Sequence, residues 1–185
     1  MRIFLTLISL LFLSTNAGAD QINLIEIQRS SYGGISADED EMPYDTDDYK
    51  FEKYDMSFQR SYSLRAIYSI MYISAQRNVT TLHTDTPDTT VETAAIGFAL
   101  AGSSEDNRYL NTYCVGAIGL GAGKFTFNNP DLNDWEGMLE VSLEGGFEIG
   151  KHLLLGAGFT FQQFGEIGET KAELGSIYIS TGISF

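Results

Sequence analysis

The residues able to do chemistry in this chain are mostly carboxylates, and several recur at strand spacing. Within "WEGMLEVSLEGGFEIG", Glu136, Glu140, Glu144 and Glu148 share one parity with Ser142, while Trp135, Leu139, Val141, Leu143, Phe147 and Ile149 share the other. Glu26 and Asp55 take polar positions in two further segments, and Lys53 and Arg65 are the bases expected on the same side. Charges gathered inside a narrow enclosure must be paired or wet. A paired set makes a plug, in which Arg65 and Lys53 neutralise part of the Glu26, Asp55, Glu140, Glu144 and Glu148 group. A set in which carboxylates outnumber bases makes a narrow cation-preferring pore.

A second acidic group lies in "SADEDEMPYDTDDYKFEKYD", where Asp38, Glu39, Asp40, Glu41, Asp45, Asp47 and Asp48 offer oxygen ligands suited to divalent cations such as Ca²⁺. The EF-hand pattern fails there, because Tyr49 stands at its fifth position and no Gly at its sixth. The stretch therefore reads as a solvated, self-repelling loop with diffuse divalent binding as the alternative. No defined metal site and no cofactor are expected. His83, with Asp85 two residues on, and His152 are the two histidines. A general base needs a positioned nucleophile and an orienting partner, and near His83 only Thr84 and Thr86 offer a hydroxyl.

The elements that must position these groups are strands. The first 19 residues, "MRIFLTLISLLFLSTNAGA", have a basic residue, an apolar run from Ile3 to Leu13 and a small-x-small site at Ala17-Gly18-Ala19, the pattern of a cleaved export signal. That run is too short for a membrane-spanning helix, which needs about 20 residues. Residues 20–185 form the expected mature domain. The chain carries 25 acidic against 11 basic residues, a net charge of −14, which excludes nucleic acid as a partner. Its single Cys114 makes no internal disulfide and reads as a small hydrophobe. Asn78-Val79-Thr80 matches a glycosylation sequon only by chance in this context.

Turn signals divide the mature chain into eight expected strands, at 21–31, 50–60, 62–76, 90–101, 108–126, 134–148, 152–164 and 171–185. No segment keeps a helical period. Connections at 32–48, 77–89, 127–134 and 165–169 are long, while those around "RS", "GSSEDN" and "GKH" are short. Such alternation fits an up-and-down barrel with short periplasmic turns and longer extracellular loops. The polar parity carries Gly and Ser with few Lys, unlike a soluble surface. Tyr62 and Tyr72, ten residues apart on the expected third strand, span roughly 25 Å at about 3.3 Å per residue and a tilt near 40°, the height of a lipid-facing belt. Tyr62, Tyr72, Trp135 and Phe147 are the expected aromatic girdle. The expected fold is an all-β, eight-stranded, antiparallel, up-and-down transmembrane β-barrel with its apolar face to lipid. At that strand number the lumen is about filled by its own side chains, which favours the plug. A soluble lipocalin-type barrel, with the faces inverted, is the alternative architecture.

With its export signal, strand rhythm and the closing "IYISTGISF", the chain resembles the small eight-stranded outer-membrane barrels of Gram-negative bacteria, the OmpA/OmpX-like family. The resemblance implies an outer-membrane location and a structural or surface-interaction role. In that family a terminal aromatic on an alternating last strand is read by the barrel assembly machinery, which assigns an insertion signal to Ile179, Ile183 and Phe185. The implied partners are outer-membrane lipid and lipopolysaccharide, with the protein a monomer. Some small barrels of this kind are lipid A-modifying enzymes or proteases that use His near the outer rim. Here His152 lies at the opposite end and His83 lacks a framed nucleophile, so no enzymatic activity is expected.

Overall fold

The computed structural model describes residues 20–37, 59–80, 89–104, 109–126, 134–150, 152–167 and 170–185. They form nine strands and, among the described residues, no helix: β1 (Asp20–Gln21), β2 (Leu24–Ala37), β3 (Gln59–Tyr68), β4 (Met71–Thr80), β5 (Thr89–Ser103), β6 (Leu110–Thr126), β7 (Asp134–Ile149), β8 (Leu153–Ile167) and β9 (Thr170–Ser184). Each of β2 to β9 pairs antiparallel with its neighbours in sequence, and β2 also pairs with β9, so the sheet closes on itself. Closure gives each of β2 to β9 a neighbour on both sides, the condition for strands that meet lipid. The two-residue β1 pairs with Gly102 and Ser103 of β5, past the end of β4.

Following hydrogen-bonded partners around the barrel measures its stagger. Ile149 leads through Leu153, Ile183, Ile25, Ala66, Ile73, Ile96 and Leu120 back to β7 at Leu139, ten residues from the start. Ten residues of stagger over eight strands requires a strand tilt of about 40°. Every residue on this path is on the outward face. Exposed Ile, Leu, Phe and Tyr side chains cover that face, while Ser, Thr, Gln, Glu and Arg65 are buried inside. This is the reverse of a soluble barrel, which wets its outside and buries apolar groups within. The lipocalin-type alternative is therefore set aside.

The expected third strand is two strands. Residues 62–76 are broken by a tight turn in which Tyr68 pairs with Met71 around Ser69 and Ile70. Ser69 takes the left-handed backbone conformation at φ 56°, which normally selects Gly or Asn. Asn23 supports it by accepting the Ser69 N–H at 2.7 Å through its side-chain oxygen. The turn reverses the parity that a continuous strand would keep. Tyr72 therefore points inward and is only 2% exposed, whereas Tyr62 stays outward at 52%. The assignment of Tyr72 to the girdle is thus corrected, and with it the Tyr62-to-Tyr72 measure of the belt. Trp135 and Phe147, both outward on β7 and twelve residues apart, replace it. At the tilt above they stand roughly 30 Å apart, an apolar band of about 25 Å with its interfacial rims.

The same correction moves the neighbouring boundaries. The "RS" expected as a turn lies inside β3, where Ser61 pairs with Asn78. The expected second strand at 50–60 falls mainly outside the described residues, and its last two residues open β3. The last connection is shorter than expected, because β8 continues to Ile167 and β9 begins at Thr170. The ends of β3 and β4 at the 69–70 turn, of β5 and β6 at Ser103 and Leu110, and of β7 and β8 at Ile149 and Leu153 lie together at one end with residues 20–23 and Phe185. The chain leaves β2, β4, β6 and β8 at the other end.

Candidate functional site: the barrel lumen

Alternation places β2, β3 and β7 so that Glu26, Arg65 and Glu144 converge inside the barrel. Arg65 is directly opposite Glu26 across the β2–β3 ladder. Its Nη2 lies 2.5 Å from Glu26 Oε1 and 2.6 Å from Glu144 Oε2, so one guanidinium end bridges both carboxylates. Its Nη1 donates to Ser142 Oγ at 3.0 Å. Arg65 is 2% exposed, with both glutamates buried beside it. Charge-assisted bonds of this length are the strong ones, and the fork geometry of arginine suits two acceptors at once.

Neutral side chains complete the shell. Tyr113 OH donates to Glu144 Oε1 at 2.5 Å and Ser180 Oγ to the same oxygen at 2.7 Å. Gln28 Nε2 donates to Glu26 Oε1 at 2.7 Å, and Gln28 Oε1 accepts from Ser63 Oγ at 2.5 Å. Glu140 is held differently, since none of its recorded donors is a base. Tyr72 OH donates to it, as do Ser74 Oγ at 2.9 Å and Gln162 Nε2 at 2.5 Å. Gln162 also reaches Thr93 and Gln76, and Gln76 links this group to Ser61 and Asn78. Glu148 sits towards the short-turn end and accepts from Ser103 and Ser184, each at 2.6 Å.

Two apolar tiers enclose this network. At the short-turn end Leu24, Ile67, Leu154, Ala101 and Val115 are buried within the barrel, with Ile22 packed against the same cluster. Towards the opposite end Val91, Met138, Phe164 and Leu174 are buried in the same way. Glycine makes room for the larger lumenal rings. A Cβ at Gly119 would lie 2.6 Å from the Tyr72 ring, so the aromatic packs against bare backbone.

The structure thus brings together Glu26, Arg65 and Glu144, and places Glu140 and Glu148 above and below them on β7. Lys53, Asp55, His83 and the acidic stretch from Asp38 to Asp48 lie outside the described residues. Trp135, Phe147, Ile179, Ile183 and Phe185 are exposed on the outward face. Gln28, Gln76 and the apolar tiers escaped the sequence reading. The glutamines carry a usable signal, since they share strand parity with neighbouring Ser and Thr. The tiers carry none, because an isolated inward Leu or Val looks the same as an outward one.

No family model matches the sequence, and no curated protein matches it. Among solved structures, the chain is similar to Neisserial surface protein A, with 11% identity over 91% of this chain and 99% of that one, at a TM-score of 0.51. Ail of Yersinia pestis (14% identity, 90% and 99% coverage, TM-score 0.37) and the N-terminal barrel domain of Pseudomonas aeruginosa OprF (12%, 90% and 100%, 0.39) align more loosely. The fold is that of a small eight-stranded outer-membrane barrel. At these identities the likeness is one of architecture, and what the lumen and the loops do has to be argued from this chain's own residues.

Proposed function

We propose that the protein is an integral outer-membrane barrel with a structural or surface-interaction role and a closed lumen. One observation carries this reading: the Arg65–Glu26–Glu144 bridge and the Glu140 network lie buried between two apolar tiers. An ion would have to break a buried, paired charge cluster and also cross hydrophobic constrictions, which close pores by excluding water. Short turns then face the periplasm and longer loops the exterior, after removal of residues 1–19 as an export signal. The apolar outward belt supports insertion, and the acidic balance of the chain supports a solvated outer surface with affinity for divalent cations.

The test is planar-bilayer recording on the refolded mature chain. Silence is expected from the native protein, while shortening Phe164 and Met138 to Ala, together with Leu24 and Leu154, should open measurable conductance. Steady cation-selective conductance from the native chain would replace the plug with the narrow pore. Membrane fractionation with heat-modifiable gel migration tests the location itself, since a folded lipid-embedded barrel shifts its band only after boiling.

A further inference from the structure

The outward face carries one ion pair that the lumen does not use. Arg77 on β4 and Glu92 on β5 are direct cross-strand partners, with Arg77 Nε 3.5 Å from Glu92 Oε1 and both side chains at least half exposed. Among the described residues no other ion pair lies outside the barrel. The contact uses Nε, which leaves both terminal nitrogens of Arg77 for a second carboxylate. Within one chain an exposed pair of this kind contributes little to stability.

Beneath the pair the same two strands present a shaped strip. Ala75 pairs with Ala94, Ile73 with Ile96 and Met71 with Phe98, all on the outward side. The two alanines form a notch between the charged pair above and the larger exposed side chains below. At a tilt near 40° each residue along a strand adds about 2.5 Å of height, and each step from one strand to the next about 3 Å. Arg77 therefore stands about 15 Å above Met71, where the outward side of β4 changes from apolar to charged, and Glu92 about 3 Å higher. Two cylinders of this curvature touch along a strip about two strands wide, so the residues of one strand pair decide what the contact offers.

We propose that this face of β4 and β5 docks a second copy of the chain, related to the first by a two-fold axis along the membrane normal. The proposal rests on the outer-membrane reading, since two barrels in one membrane keep the same orientation and that axis preserves it. It departs from the monomer expected from the resemblance. An axis centred on the Ala75–Ala94 pair sets β4 of one copy against β5 of the other. Arg77 then meets the partner's Glu92, and Glu92 meets the partner's Arg77. A two-fold interface demands this self-complementarity, residue i meeting j and j meeting i. The height difference of about 3 Å between the two is within reach of an arginine side chain. In lipid the acyl chains are as apolar as the barrel wall, so close backbone approach and paired polar groups favour association where apolar burial does not. The alanine notch supplies the first and the Arg77–Glu92 pair the second. Lys124, the other cross-strand neighbour of Glu92, is on β6 and outside this strip.

Cys114, the chain's single cysteine, is free on β6 and carries the label. Full mature chains bearing a donor or an acceptor dye are refolded together into phosphatidylcholine vesicles at high dilution in lipid, and insertion is checked first by the heat-dependent gel shift. Native chains should show energy transfer above that of randomly dispersed barrels. An exposed ion pair is worth up to about fivefold in an equilibrium constant, and the two-fold axis makes two, so R77E or E92R alone should weaken association about 25-fold or more. Mixing R77E chains with E92R chains should restore the transfer, because every charge then faces its opposite across the axis. No pairing confined to one chain produces that rescue. A75F/A94F keeps the charges but fills the notch, and should abolish transfer. Transfer retained in both charge variants or in A75F/A94F, or lost in the charge variants without rescue on mixing, would overturn the proposal. Insertion of the native chain without transfer would overturn the dimer alone, whereas failure to insert would overturn the outer-membrane reading and the dimer with it.

Discussion

Replacing Arg65 with Met removes the only base recorded at the buried Glu26–Glu144 pair and leaves two carboxylates without a counter-charge. Arg65 Nη2 lies 2.5 and 2.6 Å from those carboxylates, and the three side chains are almost wholly inaccessible. Breaking a buried pair by deleting one partner typically costs 3–5 kcal/mol, because the surviving charge stays desolvated. Here two charges survive, so the upper half of that range, about 4–5 kcal/mol, applies. With a urea dependence of about 2 kcal/mol per molar for a domain of this size, the unfolding midpoint should fall by roughly 2 M. The assay is urea unfolding in lipid vesicles, followed by Trp135 fluorescence and the gel shift. The companion variant R65M/E26Q/E144Q distinguishes charge from shape. Neutralising the whole cluster should recover most of the loss, since buried ionic sets are replaced by neutral packing at little net cost. An unchanged midpoint in R65M, or a triple variant no better than R65M, would refute the view that charge pairing holds the lumen.

Other expectations follow from geometry away from Arg65. Gly119→Leu should destabilise by about 1–3 kcal/mol through overpacking against Tyr72, and Tyr72→Ala in the same chain should relieve the clash; urea midpoints of the pair check this. Ser69→Gly should stabilise by up to about 1 kcal/mol, because Ser holds φ at 56°, while Ser69→Val should impair folding yield. Ile118→Arg, in the middle of the outward band of β6, should cost about 2–4 kcal/mol in lipid, far more than Thr90→Arg near the long-loop end; matched unfolding in vesicles tests the assignment of faces.

Period-2 patterning is read locally, so it was legible wherever a strand ran unbroken. Glu140, Glu144 and Glu148 against Leu139, Leu143 and Phe147 marked both faces of β7, and Ile177, Ile179 and Ile183 marked the outer face of β9. A membrane-type barrel followed from those faces together with the unequal connections. The Tyr68–Met71 turn was not legible, because its left-handed position is filled by Ser69 without Gly, and the support comes from Asn23, more than 40 residues away in sequence. Missing that turn inverted the face of Tyr72, since one turn changes every parity beyond it.

Pairing partners belong to a different level. Sequence alone made the barrel's inward set a list of carboxylates with two bases, Lys53 and Arg65, and no assigned pairs. Only closure and stagger put Arg65 between Glu26 and Glu144 and set Leu24, Ile67, Phe164 and Leu174 above and below the cluster. Composition and period determined which side of each unbroken strand is apolar, because that is a local property of alternation. Which residues meet across the lumen or along the rim was decided by the tertiary structure, because hydrogen-bond register and shear act between strands and leave no trace within any one of them.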